Sequence, residues 1–181
     1  MTGGPGAGGV PEAPALDRGA GAGVGGGAQC TGTELEPSAE NLAAVKSATV
    51  CLLNVERRAR GLGPLRTNVA LSRASLGHAK DMVAHHYFAH VSPSGEDMIV
   101  RVRRTGYLAG SKRWVIGENL AYGTGAKATP AEMVQAWMAS PPHRSNILYG
   151  GFKETGLGIA LGSPTPGEEA GATYTSGFGA R

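Results

Sequence analysis

The sequence is poor in the features that announce a membrane protein or a familiar catalytic motif. No apolar run approaches the roughly 18 residues needed to cross a bilayer, so no transmembrane segment is expected. Aromatic residues make up 6% of the chain, and no aromatic run accompanies the basic ones, which argues against nucleic acid as a partner. There are two cysteines, Cys30 and Cys51, and no second pair to build a zinc ribbon. The helix-borne H-E-x-x-H of many metallopeptidases is missing, as are the G-x-S-x-G elbow and the P-loop. Residues 1–28 carry neither a basic start nor the apolar stretch of roughly 7–15 residues that a secretory leader uses. No export segment is therefore legible in the chain as given.

Glycine, by contrast, is abundant, with 30 in 181 residues. It crowds the N-terminus, where Met1 to Ala28 is mostly Gly, Ala and Pro. Such a segment has almost no side chain to bury against the entropy of ordering its backbone. Residues 1–29 are expected to be a flexible tether, and residues 30–181 one folded domain. The 41% apolar content suits a buried core. The formal net charge is +3. Much of the basic charge falls at Arg57, Arg58, Arg60 and Arg66, then at Arg101, Arg103, Arg104, Lys112 and Arg113. Two readings stand: a patch for anionic partners and, the favoured one, solvated helix faces.

Helical periodicity runs from Ser38 to Arg60, with Leu42, Val45, Thr49, Leu52, Leu53 and Val55 on its apolar stripe. A second helix is expected from Asn68 as N-cap to about His86, with Leu71, Ala74, Ser75, His78, Met82 and His85 inward. Residues 96–105 read as a short third helix. Thr129-Pro130-Ala131-Glu132 is a strong start for a fourth, carrying Met133, Ala136 and Trp137 inward and ending at Pro141-Pro142. Val115–Tyr122 reads as a strand, and Thr155–Leu161 with Ala172–Phe178 as a C-terminal hairpin. Early helices and late strands suggest α+β packing on an antiparallel sheet. A disulfide between Cys30 and Cys51 would pin the start of the domain to the first helix and imply an oxidising compartment; two buried thiols are the alternative.

Among the five histidines, His78 sits on an apolar stripe and is expected in the core. His90 and His143 lie in proline-broken segments, where sites concentrate. Glu118 stands in the apolar context Ile116-Gly117-Glu118-Asn119-Leu120. A carboxylate there must find hydrogen-bond donors or a cation. Two histidines and a glutamate can also make a zinc site with an open fourth position.

Several segments occur together in order: His78-Ala79-Lys80-Asp81-Met82, Tyr87-Phe88-Ala89-His90-Val91-Ser92-Pro93, Gly117-Glu118-Asn119-Leu120-Ala121, the run Trp137 to Leu148, and Gly156-Leu157-Gly158-Ile159-Ala160. Across about residues 48–179 they resemble the bacterial branch of the CAP superfamily of cysteine-rich secretory, antigen 5 and pathogenesis-related 1 proteins. The resemblance implies a three-layer α-β-α sandwich with a central antiparallel sheet and an open cleft. Eukaryotic members hold two His and two Glu in that cleft, able to bind zinc or another divalent cation. His90 matches the first histidine, Glu118 the first glutamate and His143 the second histidine. The second glutamate falls near Ser140, so one carboxylate is lost, and two-carboxylate acid–base chemistry with it. The cleft is expected to comprise His90, Glu118, Asn119, Ser140 and His143, with His90, His143 and Glu118 as the metal ligands.

The expected function is a secreted, non-catalytic binding module at the cell envelope, with Glu118 the one candidate for catalysis. Its partner would be a lipid, glycan or protein, and the domain is expected to be monomeric. The alternative is a zinc-assisted hydrolase using His90, Glu118 and His143.

Overall fold

A computed structural model describes residues 30–168 and 170–181. The tether expected over residues 1–29 lies outside them. The first helix, α1 (Leu42–Arg58), leads through a turn to a two-residue strand, β1 (Arg66–Thr67), and then to α2 (Val69–Ala84). A loop reaches α3 (Met98–Arg104), followed by β2 (Val115–Gly123), α4 (Pro130–Ala139), α5 (Pro141–Ile147), β3 (Glu154–Leu161) and β4 (Ala172–Ala180). The sheet order is β1-β3-β4-β2. Its three long strands pair antiparallel, whereas β1 pairs parallel with β3. The central sheet is thus antiparallel as expected but gains a short parallel edge. Two residues show no periodicity, so nothing in the sequence marked it.

Local chemistry explains most boundaries. The Asn68 side chain accepts hydrogen bonds from the Ala70 and Leu71 amides, opening α2 as a cap should. Thr129 caps α4 with its hydroxyl on the Glu132 amide. The first helix starts at Leu42 rather than Ser38 because Asn41 Oδ1 accepts from the Ser38 amide, which closes a turn there. Pro141-Pro142 ends α4 and also begins α5, since proline lacks only an amide that the first helical turn leaves unpaired anyway.

The two faces of the sheet differ. On one, α1, α4 and α5 bury Val45, Leu53, Met133, Trp137 and Ile147 against Leu157, Ile159, Tyr174 and Phe178. On the other, α2 lies almost directly on the backbone of β3 and β4. A Cβ at Gly156 or Gly158 would run into the α2 backbone at Leu71–Ser72 or Ser75–Leu76. With α2 and α3 on one side and the other helices opposite, the molecule has three layers, α-β-α.

Several inward assignments need correction. Val55 is exposed, and its place on the buried face of α1 goes to Arg57. Ala136 faces outward while Val134 is buried. His85 is exposed and pairs with Asp81. Arg57 is no part of a solvated patch. It is 1% exposed and donates to the carbonyls of Gly63, Ile147, Tyr149 and Phe152, gathering the turn after α1 and the chain after α5 onto one guanidinium. Cys30 and Cys51 form a disulfide, with Cα atoms 5.7 Å apart.

Candidate binding cleft at the edge of the sheet

The strand β2 lies at the sheet edge, and its alternation sends successive side chains to opposite faces. Glu118 turns toward α3, and Asn119 turns toward α5. The three residues Glu118-Asn119-Leu120 are all buried, and each holds a different piece of the cleft. The Leu120 carbonyl accepts from Trp137 Nε1 at 2.9 Å, fixing α4. Asn119 Nδ2 donates to the His143 carbonyl at 3.0 Å and Asn119 Oδ1 accepts from Asn146 Nδ2 at 2.9 Å, fixing α5. Asn146 Nδ2 also reaches the Glu118 carbonyl.

The Glu118 side chain is 5% exposed and is met by a cation, as burial of a carboxylate requires. Arg101 Nη2 donates to both of its oxygens, at 3.0 Å and 2.8 Å. His90 Nδ1 lies 2.9 Å from Oε1 and donates to it, leaving Nε2 on the exposed side of a ring that is 56% accessible. Arg101 Nη1 in turn donates to the carbonyls of His90 and Glu96, so one buried guanidinium holds both the loop and the acid. This corrects the reading of Arg101 as part of a solvated helix face: the charge run of α3 splits, with Arg101 inside and Arg103 and Arg104 outside. A run of basic residues hides that split; the clue was Glu118 itself, which had to find a partner.

Behind this pair sits His78, 1% exposed, donating from Nε2 to the Ala89 carbonyl at 2.9 Å. Burial pushes its pKa down, favouring the neutral ring. Tyr87 Oη lies 3.4 Å from His78 Nδ1 and donates to Asp81 Oδ2 at 2.5 Å. His78 is therefore the core histidine expected, and it braces the loop that carries His90.

His143, half-buried on α5, approaches the same edge from the opposite face of the sheet. Its pKa is lowered, first by burial and then by the neighbouring His90 imidazole. The structure thus brings His90 and Glu118 into direct contact, and Asn119 contacts the His143 backbone. Ser140 caps α5 without a side-chain bond and makes no hydrogen bond to His90, Glu118 or His143 among the described residues. No three His, Cys, Asp or Glu side chains converge as a metal-ligand group among the described residues. Beside the His90–Glu118 contact lies a pocket of about 300 Å³ walled by Val91, Met98, Ile99 and Ile116.

The sequence pattern of the CAP domain, described as the cysteine-rich secretory protein family, matches residues 50–174. The chain belongs to this family. A Bacillus subtilis relative, the uncharacterized protein YkwD, is 33% identical over 138 residues, which is 76% of this chain and 48% of that protein. The uncharacterized membrane protein YlbC of the same organism is 30% identical over 108 residues, 60% of this chain and 29% of its own. The chain thus spans less than half the length of either relative. Among solved structures, an extracellular SCP-domain protein of Bacillus anthracis matches with a TM-score of 0.58 at 25% identity, over 76% of this chain and 43% of that one. An outer surface protein of Borrelia burgdorferi matches with a TM-score of 0.63 at 16% identity, over 81% of this chain and 99% of that one; at this identity the likeness is one of fold. The CAP fold, read from spaced motifs, is thereby established.

Proposed function

We propose that this CAP domain is a non-catalytic binding module working outside the cytoplasm, and that the pocket beside His90 and Glu118 takes a ligand with an apolar body and one hydrogen-bonding group. The observation that carries the reading is the state of Glu118. Three hydrogen bonds from Arg101 and His90 occupy its carboxylate, so it is held as a structural anion rather than presented as a base to an attacking water. The same bonds bear on the zinc expectation. A dication ligated by Glu118 itself would compete with the Arg101 guanidinium, which donates to both oxygens, whereas His90 would bind one through Nε2 while its Nδ1–H stays on Glu118. His90 is thus oriented as a metal-binding imidazole commonly is, with Glu118 as its hydrogen-bond acceptor rather than a ligand, and zinc binding is the competing reading that the experiment below tests.

The pocket walls support the ligand class: four aliphatic side chains with a polar end, within the size range of small-molecule sites. The disulfide favours an oxidising compartment, in keeping with the extracellular and surface relatives. The test is calorimetry on the full chain with two probes, a long-chain fatty acid and zinc. Saturable binding of the fatty acid, abolished when Ile116→Trp fills the pocket, is the expected result. A zinc isotherm that is saturable and lost in His90→Ala/His143→Ala would overturn the reading and favour the zinc-assisted hydrolase.

A further inference from the structure

A second cavity, of about 340 Å³, opens between α2 and α3 on the far side of the Arg101–Glu118 pair from the pocket already described. We propose that it is a binding site for a short linear zwitterion, of the size of a di- or tripeptide with free ends. Three of its lining residues, Arg73, Gly77 and Asp81, follow one another at intervals of four along α2 and so form a single row on one helix face. The row is positive at one end, negative at the other and bare in the middle. At 1.5 Å of rise per residue its ends are about 12 Å apart, close to the span of three extended residues at about 3.3–3.6 Å each.

Each member of the row has a feature that the fold does not use. Arg73 makes no hydrogen bond or ion pair among the described residues, so its five donors are open to a carboxylate. Arg104 and Glu96 also line the cavity and pair with one another, so they offset each other's charge and leave Arg73 as the cation of the row. Asp81 accepts from Tyr87 on one oxygen and pairs with His85 on the other, yet each carboxylate oxygen has a second lone pair for an ammonium. Gly77 is the most telling. A glycine inside a helix is destabilising relative to alanine, and here packing gives no reason for it, since a Cβ at this position would meet nothing within 4 Å. What its absence does provide is a clear floor midway along the cavity. Buried His78 and Arg101 keep that floor rigid, being fixed by their own bonds to the Ala89, His90 and Glu96 carbonyls.

The orientation follows from the charges of the row: the ligand carboxylate lies at Arg73, its ammonium at Asp81, and its middle passes over Gly77. Calorimetry on the full chain with trialanine tests this, beside N-acetylated trialanine, C-amidated trialanine and the Gly77→Leu and Arg73→Gln variants. Trialanine is expected to bind, with at least a tenfold loss on blocking either end and on either substitution. Because the space above Gly77 is open, Gly77→Leu should fold with a Tm at or above that of the parent, so its loss of binding reports the site and not the fold. Failure of trialanine to bind at millimolar concentration, equal binding of a blocked peptide, or unchanged affinity in Gly77→Leu would each overturn the proposal. None of these outcomes bears on the pocket beside His90, whose probe and variant are different.

Discussion

The two faces of the sheet hold their helices by opposite means. Toward α1, α4 and α5 the strands present Leu157, Ile159, Tyr174 and Phe178, and large side chains interdigitate with Trp137 and Met133. Toward α2 the same strands present Gly156, Gly158 and Gly177, and backbone meets backbone, with the Gly177 amide donating to Ser75 Oγ. The first face is a cohesive apolar core. The second brings α2 close enough to carry a buried polar assembly, His78, Arg101 and Glu118, next to two cavities. Cohesion and recognition are thus assigned to different sides of one four-stranded sheet, and alternation along β2, β3 and β4 is what separates them.

The sharpest way to break this division is at adjacent residues of β3 that point to opposite faces. Gly158→Val drives two methyl groups into the α2 backbone and should cost at least about 3 kcal/mol, since a helix cannot yield as a flexible side chain can. Ile159→Val, one residue on, removes a single methylene from the apolar face and should cost only about 1 kcal/mol. Urea unfolding of both variants checks the contrast, and similar losses would erase it.

Next in size is the ion pair. Arg101→Met leaves the Glu118 carboxylate buried with only the His90 and His78 imidazoles beside it, at a cost of about 3–5 kcal/mol. Adding Glu118→Gln to Arg101→Met should return much of that loss, because the stranded charge is gone. If the double variant is no more stable than Arg101→Met alone, the buried charge was not what the arginine answered.

The smallest effect is expected from His78 and also belongs to the polar face. Burial holds its pKa below the ordinary 6.5 in the folded protein, whereas the unfolded chain protonates near that value. As pH falls through about 6.5 the unfolded state takes up the proton first, so the contribution is full above that pH and shrinks toward the lower folded pKa. Thermal melts from neutral pH to about pH 5 should show a Tm that falls by a few degrees, less steeply in His78→Gln. An unchanged slope in that variant would move the effect to His143, whose pKa is displaced in the same direction.

Much of this was legible in the sequence where a single residue has a single local task. Asn68 and Thr129 announced their caps, and the motifs around His90, Glu118 and Trp137 pointed to the sandwich and to two residues, His90 and Glu118, that the fold brings into contact. What stayed hidden depends on partners distant in the chain. Arg57 and Arg101 sit in basic runs whose other members are solvated, and only the folded chain shows which guanidinium turns inward. The Ile147 carbonyl that Arg57 reaches is 90 residues away, and the Glu118 carboxylate that Arg101 holds is 17. The Pro141-Pro142 pair was ambiguous for another reason: proline both stops one helix and starts the next, and composition does not say which task is in force.

The Cys30–Cys51 bond, described above as a pin, also decides where force enters the domain. A pull on the chain ahead of Cys30 crosses the disulfide directly into α1, bypassing the intervening segment, since the two cysteines are 21 positions apart in sequence. Residues 31–50 therefore bear no load, and the first turns of α1 are shielded from peeling. The strain falls instead on the middle of a helix packed against α4 and β3. Under tension the domain is gripped by its body rather than by a loose end, and reduction of that one bond would turn a firm mooring into an unravelling one.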